Sequence, residues 1–164
     1  AAARAKNEPP FIIIADGLND PHNLGSIIRS ANAAGAHGVI IPKNRSVSLN
    51  SVVAKVSTGA VEYTPVARVT NIAQTIEKLK KEGLWICGTA LEASEDYFDA
   101  DLTGALAIVI GSEGEGISRI VRESCDFLVK IPMIGQTESL NASVAAGILL
   151  YESLRQRNAA NKKG

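Results

Sequence analysis

Short apolar segments that alternate with helical patterns are the feature that most limits how this chain can fold. Apolar segments rich in β-branched residues occur at 11–15, 38–41, 63–69, 84–89, 106–110 and 127–131. Helical patterns occupy 24–34, 49–56, 72–82, 118–124 and 142–157. Several strand candidates are apolar at nearly every position, as strands covered on both faces are. The alternation predicts an α/β fold with a mostly parallel six-stranded sheet flanked by helices.

The chain has 164 residues, a length that fits one domain with a sizeable core. Residues 1–10 are predicted to be a linker, residues 11–158 the folded domain and residues 159–164 a flexible polar tail. Lysine plus arginine and aspartate plus glutamate both total 17, so the formal net charge is zero. A nucleic-acid binder usually carries a basic face. An RNA function therefore requires a local basic patch or a second domain, and the linker-like start favours the second domain.

The cysteines and histidines point to no metal or redox chemistry. Cys87 and Cys125 have no metal-binding or redox spacing around them and are predicted to be reduced, which suits a cytoplasmic protein. His22 and His37 form no ligand cluster, so no metal site is expected. No apolar run is long enough to cross a bilayer, and no secretion signal is visible.

Unusual polar and glycine residues follow three of the predicted strands, where ligands of open α/β sheets bind. After the first strand, Asn23 is predicted to cap the next helix, and Arg29 emerges from that mostly apolar helix. Arg29 could be an ordinary surface arginine, but its guanidinium could also grip a phosphate with two hydrogen bonds. After the fifth strand, residues 111–117 have glycine spacing G-x-x-G-x-G, which frees backbone amides to line a ligand. Glu113 lies within that loop.

The third group follows the sixth strand, where a proline and a polar loop lead into a helix rich in small residues. Ser139 and Asn141 are the polar residues at the start of this helix, a position that favours an anionic group. Ser118 and Asn141 are each predicted to cap the helix that they precede. Each of the three groups alone also fits an ordinary structural role, as a glycine-rich connection or a tight helix contact. The occurrence of all three groups in this order, each after a strand, is stronger evidence for a ligand site than any one group alone.

Together, D-P-x-N-x-G-x-I-x-R, G-S-E-G-x-G and I-P-M…S-L-N-x-S-V-A resemble the three signature motifs of the TrmH/SpoU branch of the SPOUT methyltransferases. The resemblance is strongest to bacterial enzymes that methylate a guanosine ribose 2′-hydroxyl in 23S ribosomal RNA. It implies a C-terminal trefoil knot that forms the cofactor pocket. It also implies a homodimer whose active sites borrow residues from the neighbouring subunit, and an N-terminal RNA-binding domain of the L30e type outside this chain.

The same resemblance implies S-adenosylmethionine as cofactor and RNA as partner, with no metal and no membrane. It assigns the cofactor to Thr89, Ala90, Gly111, Ile131, Met133, Ser139, Leu140 and Asn141. It assigns catalytic or supporting roles to Asn23, Arg29, Glu113, Ser139 and Asn141. Two alternatives remain open: the same reaction on transfer RNA, and a non-catalytic nucleotide- or RNA-binding α/β module.

Overall fold

The computed structural model describes residues 2–18, 20–43, 59–60 and 63–163. Helices and strands alternate through most of this range. The helices are α1 (Ala2–Ala5), α2 (Pro21–Ala33), α3 (Ile72–Lys81), α4 (Arg119–Ser124) and α5 (Ala142–Lys163), with a 3₁₀ turn at Tyr97–Asp99. The strands are β1 (Phe11–Asp16), β2 (Gly38–Pro42), β3 (Val66–Val69), β4 (Trp85–Thr89), β5 (Leu106–Gly111) and β6 (Phe127–Val129).

The strands form one six-stranded sheet in the order β3-β2-β1-β5-β4-β6, and every pair is parallel. This confirms the predicted α/β class and the parallel sheet. β1 lies at the centre and pairs with β5 along its whole length, from Phe11 opposite Leu106 to Asp16 opposite Gly111. The carboxyl ends of β1 and β5 are therefore adjacent, and the loops that carry the first two motifs begin side by side.

Helices cover both faces of the sheet, which explains why the strands are apolar at consecutive positions. On one face α2 and α5 pack over a cluster that includes Ile13, Ile27 and Leu149. On the other face α3 and α4 cover a second cluster that includes Ile76 and Val109. Most of the first motif lies on α2 and the end of the third motif lies on α5, and these two helices contact each other.

The start of α2 differs from the prediction, which began the helix at residue 24 with Asn23 as its cap. The helix begins at Pro21, and Asp20 is the capping residue because its Oδ1 accepts a hydrogen bond from the His22 amide at 2.9 Å. Proline is favoured at the first helical position, since it has no amide hydrogen to satisfy there. Asn23 is thereby left free of a capping role and lies in the first turn of the helix.

The ends of the chain and two strands also differ from the predicted bounds. Residues 2–5 form a helical turn within the predicted linker, and α5 continues through the predicted flexible tail to Lys163, because Ala159 and Ala160 favour helix. The third strand begins only at Val66, after a turn in which the Thr64 amide donates to the Ala60 carbonyl. The sixth strand ends at Val129 instead of residue 131. The helix predicted at 49–56 lies outside the described residues.

The knot, the linker and the additional domain implied by the resemblance stay predictions. In the part of the chain that the structure describes, no helix has both the length and the apolar character needed to cross a membrane.

Candidate active site

The loop that follows β5 folds back across the end of its own strand. A Cβ built on Gly111 would lie 2.1 Å from the carbonyl carbon of Gly116 and 2.2 Å from the amide nitrogen of Ile117. Only glycine allows two backbone segments to cross this closely. Gly114 and Gly116 have φ angles of 84° and 69°, which L side chains rarely adopt. The G-x-x-G-x-G spacing is therefore required by the path of the loop.

The far end of this loop is held by a carboxylate from the neighbouring strand. Asp16, the last residue of β1, accepts a hydrogen bond at Oδ2 from the Ser118 amide at 2.8 Å. Ser118 occupies the N-cap position of α4, but its side chain makes no capping hydrogen bond within the described structure. Ser118 therefore stands at the predicted N-cap position, but the prediction that its side chain caps α4 is wrong. Asp16 binds the amide of Ser118 itself.

Asn141 joins all three motifs. Its Nδ2 donates to Asn23 Oδ1 at 3.0 Å and to Glu113 Oε1 at 2.9 Å. Its Oδ1 accepts from the amides of Ser143 at 2.9 Å and Val144 at 3.3 Å, so the prediction that Asn141 caps α5 is confirmed. The cap fixes the orientation of the amide group and leaves both Nδ2 hydrogens for the side chains from the other two motifs.

A cavity of about 310 Å³ lies at the carboxyl ends of β4, β5 and β6. Seven of the eight residues that the resemblance assigns to the cofactor line it: Thr89, Ala90, Gly111, Ile131, Met133, Ser139 and Leu140. Asn141 is the exception, although its neighbours Leu140 and Ala142 both line the cavity. Glu113 lines it as well, so the hydrogen bond from Asn141 to Glu113 lies at its edge.

Sequence reasoning did not identify several residues that line this cavity. The charged ones are Glu92, Glu115, Arg122 and Lys130, and the apolar ones include Ile110, Ile117, Val129 and Ala145. Arg122 forms an ion pair with Glu92. The apolar residues gave no signal because they look like ordinary core positions. Glu92 and Arg122 are 30 residues apart, and only the adjacency of the elements that carry them reveals the pair.

Arg29 does not line the cavity. It lies on α2 opposite the buried side of the helix, which consists of Leu24, Gly25, Ile27, Ile28 and Ala31. Its side chain is exposed, and it makes no ion pair or side-chain hydrogen bond with any described residue. Arg29 and Asn23 are six residues apart, which separates them by roughly 9 Å along the helix and 120° around it. Within one subunit, the structure thus brings Asn23, Glu113, Ser139 and Asn141 together but leaves Arg29 outside the group.

The two cysteines lie on opposite faces of the sheet, and both are free thiols. Burial raises the pKa of the Cys87 thiol far above its usual range, and burial together with the nearby Asp126 carboxylate raises the pKa of Cys125 to about 12. Both thiols are therefore protonated near neutral pH and poor nucleophiles. Among the described residues, no group of three or more His, Cys, Asp or Glu side chains could hold a metal ion.

Residues 10–151 match the model of the SpoU rRNA Methylase family. YacO of Bacillus subtilis, named for the TrmH family of tRNA/rRNA methyltransferases, is 59% identical over 96% of this chain and 63% of its own length. The 23S rRNA (guanosine-2′-O-)-methyltransferase RlmB of Ralstonia nicotianae is 53% identical over 94% of this chain and 62% of its own length.

The fold of this chain is also similar to that of a solved SpoU methyltransferase structure. The SpoU methyltransferase AviRb from Streptomyces viridochromogenes, in complex with the cofactor AdoMet, superimposes with a TM-score of 0.85 at 36% identity, covering 93% of this chain and 60% of its own. The chain thus spans less than two thirds of the length of the relatives named here. Because the family match includes all three motifs and the whole sheet, the chain is a member of the SpoU rRNA methylase family.

Proposed function

We propose that this protein transfers a methyl group from S-adenosylmethionine to a ribose 2′-hydroxyl of RNA, and that the target is a guanosine of 23S ribosomal RNA. The observation that carries the proposal is the position of Asn141, which joins Asn23 and Glu113 at the edge of the cavity beyond β4, β5 and β6. The choice of 23S ribosomal RNA draws on the RlmB relative, whose name states that activity.

The cavity suits S-adenosylmethionine in size and lining. A volume of about 310 Å³ is at the lower end of the range for small-molecule sites. Apolar side chains from the loop after β6, including Ile131, Met133 and Leu140, offer apolar contact to an adenine ring. Backbone groups of the glycine loop and the Ser139 hydroxyl supply polar contacts. When bound, S-adenosylmethionine supplies a methyl group on a positively charged sulfur.

The polar residues at the cavity edge are suited to positioning the ribose. The Asn141 amide is held by four partners from three segments, so it has little freedom to rotate. Glu113 is held in turn by Asn141 and by the Ala142 amide at 3.4 Å. Fixed groups of this kind reduce the entropy lost when reacting atoms are aligned. This can lower the activation free energy by roughly several kcal/mol. In this proposal Asn23 and Asn141 orient the ribose hydroxyl toward the methyl group.

Arg29 is proposed to enter the site of a second copy of the chain. It is exposed, has no partner among the described side chains and does not line the cavity of its own subunit. A guanidinium keeps its proton in proteins, so Arg29 is not a general base. Its role is to bind an RNA phosphate and stabilise the developing negative charge on the ribose oxygen. The protein is accordingly proposed to act as a homodimer.

The test is methyl transfer from radiolabelled S-adenosylmethionine to separate pools of 23S ribosomal RNA and transfer RNA, followed by mapping of the modified ribose. Labelling of a guanosine 2′-hydroxyl in 23S RNA is the expected result. Labelling of transfer RNA alone would show that transfer RNA, and not 23S ribosomal RNA, is the substrate. Cofactor binding without transfer to either pool, in protein that includes the expected N-terminal RNA-binding domain, would favour a non-catalytic RNA-binding module.

The role of Arg29 is tested with Arg29→Ala and, as a control, Arg68→Ala, which alters another exposed arginine away from the cavity. Arg29→Ala should fold and bind cofactor but lose transfer, whereas Arg68→Ala should keep transfer. If Arg29 acts across the dimer, mixing Arg29→Ala with Asn141→Ala protein should restore about a quarter of the wild-type activity, because half of the dimers then hold one intact site. Absence of any recovery after subunit exchange would argue that Arg29 and Asn141 serve the same subunit's site.

A further inference from the structure

The ion pair between Glu92 and Arg122 forms part of the cavity wall. Glu92 lies in the turn after β4, Arg122 lies on α4, and both side chains line the cavity. The Arg122 side chain is 37% exposed and that of Glu92 is 60% exposed. The pair therefore connects two elements that approach the cavity from separate strands.

The turn after β4 has few other restraints near Glu92. Its start is fixed by the hydrogen bond from the Ala90 amide to the Val129 carbonyl at 3.0 Å, and Glu95 accepts from the Lys130 amide at 2.9 Å. Between these points, Leu91 and Glu92 are exposed, whereas Ala93 is buried and its amide donates to the Ala90 carbonyl at 3.2 Å. Within the described structure, the ion pair is the one polar side-chain contact from residues 91–94 to another element.

The helix α4, which carries Arg122, is fixed against the sheet. The Ser118 amide at the start of α4 is bound by Asp16, and Val121 is buried against the sheet. Arg122 is thus presented from a fixed helix, whereas Glu92 belongs to the less restrained turn. The ion pair therefore restrains the turn after β4 by attaching it to the fixed helix α4.

We propose that Arg122 and Glu92 are positioning residues for the cofactor: their ion pair holds the turn so that Ala90 and Leu91 keep the shape of the binding wall. This inference rests on the proposed use of the cavity for S-adenosylmethionine. Thr89 is additionally fixed by its hydroxyl, which donates to the Val109 carbonyl at 3.1 Å. The ion pair would therefore affect mainly Ala90 and the residues after it.

Calorimetry with S-adenosylhomocysteine tests the role of the pair without requiring RNA or turnover. Glu92→Gln and Arg122→Gln should each weaken binding by about two- to fivefold, the range expected for a partly exposed ion pair. The exchanged variant Glu92→Arg/Arg122→Glu keeps both charges and their combined length and should bind within about twofold of wild type. Arg119→Gln is the matched control, since it breaks the Arg119–Glu123 pair on the same helix without touching the cavity.

Amide hydrogen exchange provides a second measurement on the protein without ligand. Exchange of the Ala90 and Ala93 amides should accelerate in Glu92→Gln and return to the wild-type rate in the exchanged variant. Unchanged binding in both single variants would overturn the inference.

The inference would also fail if Arg122 contacts the cofactor carboxylate directly instead of positioning the turn. Arg122→Gln would then weaken S-adenosylhomocysteine but not 5′-methylthioadenosine, which lacks the carboxylate, and the exchanged variant would show no rescue. That result would also overturn the proposal. Either outcome leaves ribose methylation by the wild type unaffected, so failure of this inference is distinct from failure of the proposed function.

Discussion

Replacement of Gly111 with alanine is expected to destabilise the fold and remove cofactor binding. The new Cβ would lie 2.1 to 2.4 Å from three backbone atoms of Gly116 and Ile117, roughly 1 Å inside the 3.4 Å at which ordinary contact begins. Because those atoms belong to the backbone, no side-chain rotation can relieve the overlap. The loop would have to move away from β5, which would break the hydrogen bond from the Gly116 amide to the Ser112 carbonyl at 2.8 Å.

The expected loss combines an overpacking term with the loss of this hydrogen bond. Together they amount to about 2–4 kcal/mol in the free energy of unfolding. For a protein of this length, such a loss lowers the melting temperature by about 5–15 °C. Urea unfolding followed by far-UV circular dichroism is the suitable assay, because Trp85 is 63% exposed in the folded state and would report unfolding weakly by fluorescence.

Gly135→Ala is the matched control. Gly135 lies in the loop before α5, does not have a positive φ, and has no atom within 4 Å of a built Cβ. Its substitution should change the free energy of unfolding by no more than about 0.5 kcal/mol. All proteins should be compared at one concentration, because dimer formation would make the midpoint depend on it. A Gly111→Ala protein with wild-type stability and wild-type affinity for S-adenosylhomocysteine would refute the reasoning.

Two further predictions concern Asn141 and the thiols. Asn141→Ala should lose a helix cap, at about 1 kcal/mol, and should also lose methyl transfer; Asn71→Ala, which removes the cap of α3, should lose similar stability but keep activity. Equal activity in the two variants, measured with labelled methyl donor, would contradict the role of Asn141. Because burial raises the pKa of Cys87 and Cys125, neither should react quickly with a thiol reagent at pH 8, whereas both should react in denaturant. Rapid modification of the folded protein would contradict this account of the thiols.

The sequence allowed the class of the fold to be predicted because burial on both faces leaves a clear pattern in each strand. The runs that became β1 and β5 are apolar at consecutive positions, as expected for strands of a parallel sheet covered on both faces. The bounds of the helices were harder to predict. Asp20 and Asn23 are equally good capping residues by type, and Pro21 was the clue that favours Asp20.

The site was predictable where glycine or a polar residue interrupts an apolar region. Gly111, Glu113, Ser139 and Asn141 stand out for that reason, and the structure brings them together. The Glu92–Arg122 pair could not be predicted because charged residues on turns and helices are common, and nothing local indicates which of them meet. In the proposed homodimer, the position of Arg29 relative to the partner's cavity depends on the subunit arrangement, which one chain's sequence pattern does not specify.

The central position of β1 affects how the protein folds during synthesis. β1 needs β5 as its neighbour, yet β5 follows about 90 residues later, which corresponds to roughly 5–20 s of ribosomal translation. Until then, one edge of an almost wholly apolar strand has no partner in the nascent chain and can pair with other chains. Cells that make this protein rapidly are therefore expected to depend on chaperones that bind early nascent segments, and slower synthesis at lower temperature should increase the soluble yield.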